Sequence, residues 1–129
     1  MPATRPGLPL LAAFLLLALA WPALAANSNK WRIQCSEGAK STGEITFRFE
    51  FGDAADFAVA VPIPKGTSEN RVARIIRDTL AQKLDPKRFH VEVDDGEDVL
   101  VKAKGGQKDF TITLVSNTVK AVRIVLDRE

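Results

Sequence analysis

Between Glu44 and Phe51 the chain alternates without a break. Ile45, Phe47, Phe49 and Phe51 fall on one side of a period of two, and Glu44, Thr46, Arg48 and Glu50 on the other. Successive side chains of an extended strand point to opposite faces. This segment therefore buries an apolar, mostly aromatic stripe and wets its other face, which predicts a β-sheet with one covered side. A helix does not satisfy the pattern, because a period of 3.6 would spread the four apolar residues around its axis.

The neighbouring segments extend this reading. Trp31-Arg32-Ile33-Gln34-Cys35 alternates and predicts a short first strand, and Ser36 to Gly43 is a small, polar loop. Gly52 to Asp56 makes a turn, and Phe57 to Val61 returns as a hairpin partner. Pro62 and Pro64 then end regular pairing or move it to an edge, since proline has no amide N–H to give to a ladder. Beyond them Thr67 or Ser68 can cap a helix, with Glu69 in its first turn facing the positive end of the dipole. Val72, Ala73, Ile76, Leu80 and Leu84 form its apolar stripe, and Asp85-Pro86 stops it. Four further strands are predicted around Phe89–Val93, Val99–Val101, Phe110–Leu114 and Val119–Leu126. Turns at 94–97, 105–106 and 116–117 join them, which reads as an antiparallel meander. The expected fold is α+β: an antiparallel sheet of six or seven strands with one amphipathic helix packed on one face.

The N-terminus has a different character. A weakly basic start (the amine of Met1 and Arg5) precedes an apolar run from Leu8 to Ala20, interrupted only by Pro9. Trp21-Pro22 ends it, and Ala23-Leu24-Ala25 places small residues where a signal peptidase requires them. A spanning helix needs about 20 predominantly apolar residues, and this run is shorter. The chain is thus expected to carry a cleaved signal peptide at 1–25, a flexible lead-in at 26–30 and a single α+β domain at 31–129. A periplasmic or secreted protein with no membrane span after cleavage follows. The compact signal and a domain without disulfides fit a bacterial source.

Arg5 is the only charged side chain in residues 1–25, so the remainder carries 17 basic and 16 acidic residues. That balance argues against nucleic-acid binding, which draws on a clear excess of Lys and Arg. There is one cysteine, Cys35, and one histidine, His90. Hence no internal disulfide can form, a four-ligand structural zinc site of the usual kind is excluded, and the fold must be held by its own core. No cofactor is implied.

Candidate sites are few. Cys35 reads as a buried small hydrophobe or as an intermolecular thiol able to link two copies of the chain. As a nucleophile it would need His90 for a base, and nothing in the sequence brings the two together. His90, flanked by Phe89 and Val91, is expected on the exposed face. Asp94-Asp95-Gly96-Glu97-Asp98 could offer oxygens to calcium, but Asp and Gly are also what a tight turn selects, and the turn is the better reading. Arg71, Arg74 and Arg77 fall on neighbouring positions of the helix and could meet an anionic glycan, a phospholipid headgroup or an acidic protein. Nucleophile elbow, P-loop, zinc-protease and dinucleotide motifs are all missing. The functional expectation is a small exported, non-catalytic binding or assembly module with a protein partner in the cell envelope or outside the cell. It would pair at an open sheet edge near Pro62 and Pro64 or near the strand at Trp31. The alternatives are an exported inhibitor or anionic-ligand-binding protein using the basic helix face, and a thiol-dependent enzyme.

Overall fold

A computed structural model describes residues 28–129; the signal peptide expected at 1–25 lies outside the described residues. The chain runs through β1 (Lys30–Ser36), β2 (Gly43–Phe51), β3 (Phe57–Ile63), α1 (Glu69–Lys83), β4 (Phe89–Asp94), β5 (Asp98–Ala103), β6 (Phe110–Asn117) and β7 (Arg123–Arg128). All strand pairings are antiparallel.

The seven strands do not form one sheet. They divide into a four-stranded sheet ordered β4-β5-β1-β7 and a three-stranded sheet ordered β3-β2-β6. The meander expected from the last four strands is therefore corrected. β4 and β5 form a hairpin, but β5 pairs with β1, β6 with β2, and β7 with β1. The segments at 104–109 and 118–122 carry the chain from one sheet to the other. The physical reason is coverage. Seven strands at about 4.8 Å spacing span roughly 30 Å, whereas a helix is only about 10–12 Å across. One helix would leave much of a single apolar face wet. Divided into two, the sheets cover each other and α1 closes the remaining side, packing against β3, β4, β1 and β5.

The aromatic stripe of β2 supplies the centre of the shared core. Ile45, Phe47 and Phe49 are fully buried, as are Val59 and Val61 on β3, Ile33 on β1, and Ile76 and Leu80 on α1. Phe51, at the end of the stripe, lies 5.6 Å from Phe57 and 5.6 Å from Phe89, and Phe89 meets Phe110 edge-on at 5.1 Å. These rings join the two sheets. The indole N–H of Trp31 on β1 donates to the carbonyl of Phe110 on β6 at 2.9 Å, a polar link between the sheets inside the apolar layer.

Local chemistry sets the ends of the elements. Ser68 caps α1, its hydroxyl accepting from the Arg71 N–H, while Thr67 instead donates its hydroxyl to the Pro64 carbonyl. Leu84 leaves the helix in an extended conformation two residues before Pro86, as expected of a chain approaching proline. Pro62 lies within β3, opposite Glu44, and is tolerated because β3 is an end strand. Gly43 opens β2 where the backbone of Thr118 passes so close that a Cβ would sit 2.8 Å from its carbonyl oxygen. Part of the stretch read as a lead-in is tied into the fold: Ser28 bridges Phe110, and Asn29 accepts from the Ala103 N–H.

Candidate functional site

Cys35 is buried, 3 % exposed, and lies on the core face of β1. Burial, and after it the negative charges of Asp98, Glu69 and Glu97, push its thiol up to about 12. A thiol in such surroundings is neutral and shielded, the opposite of the low-pKa, accessible state a nucleophile needs. His90 lies on β4, with β5 between it and β1. Its ring is exposed on the outer side, 3.5 Å from the Glu92 carboxylate. The fold places Cys35 and His90 on opposite faces of one sheet and does not bring them together.

The three candidate arginines of α1 have unequal surroundings. Arg77 is half-buried and spends its charge on Asp78 at 2.6 Å. Arg71 and Arg74 are exposed, and among the described residues neither forms an ion pair. The basic face therefore comes down to two available guanidinium groups.

The acidic run at 94–98 forms the turn between β4 and β5. Asp95 and Gly96 both take positive φ, 52° and 77°. That is the left-handed geometry which a tight hairpin demands and which Gly meets without strain. The flanking carboxylates are already engaged. Arg32 donates to Asp98 at 2.8 Å, to Asp94 at 3.0 Å and to Glu129 at 3.3 Å, tying the hairpin to the C-terminus. Glu97 turns toward α1, where a hydrogen bond to Glu69 holds its carboxyl above the usual range. Glu69 in turn accepts from the Glu37 N–H at 2.7 Å. Among the described residues no group of three or more His, Cys, Asp or Glu side chains is arranged to hold a metal ion.

The surface feature that the sequence reading missed lies on β6 and β7. Among the described residues three large apolar side chains are exposed, Leu114 at 38 %, Val115 at 58 % and Val125 at 50 %, and all three belong to these strands. β6 and β7 are the end strands of their respective sheets. In β6 the register slips by one residue: Leu114 faces Phe47 and Ser116 faces Thr46, so Val115 has no counterpart on β2. Such a bulge bends the strand and turns a side chain out of the alternation. Val125 faces Gln34 across the β1–β7 ladder and shares its outer face with Arg123 and Asp127. The available signals were Leu114-Val115 and Ile124-Val125-Leu126, consecutive apolar residues where strict alternation calls for one.

Of the two edges expected to lie open, β3 with Pro62 is an end strand, whereas β1 with Trp31 lies between β5 and β7 and has no free edge. Comparison of the chain with protein-family models, with curated proteins and with solved structures gave no match. Among the described residues no helix is long and apolar enough to cross a membrane.

Proposed function

We propose that this chain is a small exported, non-catalytic binding or assembly module that engages a protein partner by strand pairing at the edges of β6 and β7. The observation that carries the reading is the coincidence of exposed apolar side chains with the end strands of the two sheets. Leu114, Val115 and Val125 all fall on the end strands of the two sheets. An open strand edge offers a row of N–H and C=O groups to an incoming strand, and adjacent apolar side chains supply the burial that fixes its register. The burial of Cys35 and its separation from His90 weigh against the thiol-dependent reading.

The test is site-directed photocrosslinking in the native host. A crosslinking residue at Val115 is expected to give a discrete protein adduct, and the same residue at Thr118, outside the strands, is expected to give none. Equal adducts from both positions, or none from Val115, would remove the reading.

A second reading rests on Arg71 and Arg74, which are exposed and without ion pairs among the described residues. An inhibitor or anion-binding protein using them would lose affinity steeply with salt, because exposed charges are screened over about 8 Å at 0.15 M ionic strength. Replacing both by Ala would abolish that binding and leave a β6–β7 adduct untouched.

A further inference from the structure

Pro86 stops α1 and the chain turns sharply. The Arg88 and Phe89 N–H groups both donate to the Asp85 carbonyl, at 2.9 and 3.0 Å, so β4 starts directly beside the last turn of the helix. The Lys104 N–H donates to the Arg88 carbonyl at 2.8 Å, which brings the end of β5 to the same place. Between these elements lies a cavity of about 180 Å³. Leu84 and Phe89, both buried, form its floor, and Ala81, Pro86 and Val91 complete an apolar wall. The other two lining residues are basic, His90 and Lys104, and none is acidic. An apolar pocket with a few convergent polar groups is the usual make-up of a small-molecule site.

The charge around this cavity decides its occupant. The whole chain carries a formal net charge of only +2, and most cations near the cavity are already engaged. Arg88 holds Asp53 at 2.9 Å and Gln107 at 2.8 Å, and Lys102 pairs with Glu92, which also lies 3.5 Å from His90. Lys104 is exposed and forms no ion pair among the described residues. The same holds for Lys83 and Lys87, the chain neighbours of the lining residues Leu84 and Pro86. Against these three lysines stands one acid of the turn, Asp85, whose carboxylate accepts from the Lys87 N–H at 2.9 Å.

We propose that this cavity binds a small amphiphilic carboxylate, a short aliphatic chain ending in one carboxylate group. The site is separate from the surface on β6 and β7 and from Arg71 and Arg74, which lie in the first half of α1. The helix fixes the direction of binding. The carbonyls at the end of α1 carry the negative end of its dipole, which repels an anion. The carboxylate therefore sits by Lys104 and His90, and the chain runs back over Val91, Leu84 and Ala81. Length follows from volume. At roughly 30 Å³ for each water-sized group, the cavity takes a chain of about six carbons. A larger ligand would leave its extra length in water.

The test is a titration of the purified chain with a series of carboxylates, followed by the amide NMR shifts of residues 81–91 and of Lys104. Each methylene removed from water strengthens binding about fourfold. Affinity is therefore expected to climb from acetate through butanoate to hexanoate, and to gain little more at octanoate. Hexanol, of the same length without the charge, is expected to bind about fivefold more weakly, and hexylamine not at all. Lys104 and Ala81 are both exposed, so neither variant below removes a core contact. Lys104→Ala is expected to bring hexanoate down to the affinity of hexanol and to leave hexanol unchanged. Ala81→Phe fills the cavity and is expected to abolish the binding of both. Three results would each overturn the proposal: shifts that ignore chain length and spread over lysines elsewhere, hexanol binding as tightly as hexanoate, or Lys104→Ala binding hexanoate as the native chain does. Absence of any shift at the cavity up to on the order of 50 mM hexanoate would overturn it as well.

Discussion

Two residues hold their protons above their ordinary values, Cys35 chiefly through burial and Glu97 chiefly through a neighbouring carboxyl. Cys35 is neutral because burial in β1 and the surrounding acids push it up to about 12 from an ordinary value near 9. A group whose folded value is raised stabilises fully below its unfolded value and loses that contribution as pH climbs through the folded one. The native protein is therefore expected to lose stability relative to Cys35→Ala between pH 9 and about 12, read from paired denaturant titrations. At neutral pH, a thiol reagent should label Cys35 only at the rate at which the fold opens, and complete labelling should need denaturant. Rapid labelling of the native chain would show that the thiol is not shut in. Glu97 obeys the same sign for a different reason: its hydrogen bond to Glu69 requires a proton, so its carboxyl is held above the ordinary value. That contribution is present at acid pH and lost as pH rises through the raised value. Glu97→Gln keeps a donor permanently in place. It is expected to raise the melting temperature at pH 7 and to leave it nearly unchanged at pH 4.

At the scale of elements, some boundaries were legible in the sequence because they are written in local chemistry, whereas the last strand, expected from Val119, begins only at Arg123. Ser68 before Glu69, Asp85-Pro86 after the apolar stripe, and Asp95-Gly96 between two alternating runs all act within a few residues. The strand partners were not legible. Alternation in β6 and the short apolar runs of β5 and β7 state which segments meet a core, but not which backbone completes the ladder, and those bonds join residues far apart in sequence, as at Trp31↔Arg128. Gly105-Gly106 and Ser116-Asn117 have the composition of hairpin turns, yet the first lies in the crossover at 104–109 and the second ends β6, with the chain changing sheets again only at 118–122. The candidate site was hidden for a related reason. Val115 is remarkable only through its bulge, which exists because β6 pairs with β2. Two substitutions test how elements are held. Ser68→Ala removes the side-chain acceptor at the start of α1 and is expected to cost about 1 kcal/mol in chemical denaturation. Gly43→Ala drives a methyl into the Thr118 backbone at 2.8 Å and is expected to cost more than the cap does, because backbone on both sides must move.

Across the whole molecule, α1 is the element that makes two sheets behave as one body. It packs against β3 of the three-stranded sheet and against β4, β1 and β5 of the four-stranded one, and Ile76 and Leu80 are fully buried in the shared core. Neither sheet has an apolar layer of its own to fall back on. The rings of Phe51 and Phe89 meet across the divide, and the Trp31 indole is bonded to the far sheet. Leu80→Ala is therefore expected to destabilise by about 2–5 kcal/mol and to do so without splitting the transition. Trp31 fluorescence, which reports the contact between sheets, and far-ultraviolet dichroism, which reports helix and strands, should shift together to a lower midpoint. Coincident transitions are the signature of a single cooperative unit. Separate midpoints, with the dichroism of one sheet outlasting the loss of the tryptophan signal, would mean that the sheets fold independently and the helix is only a cover.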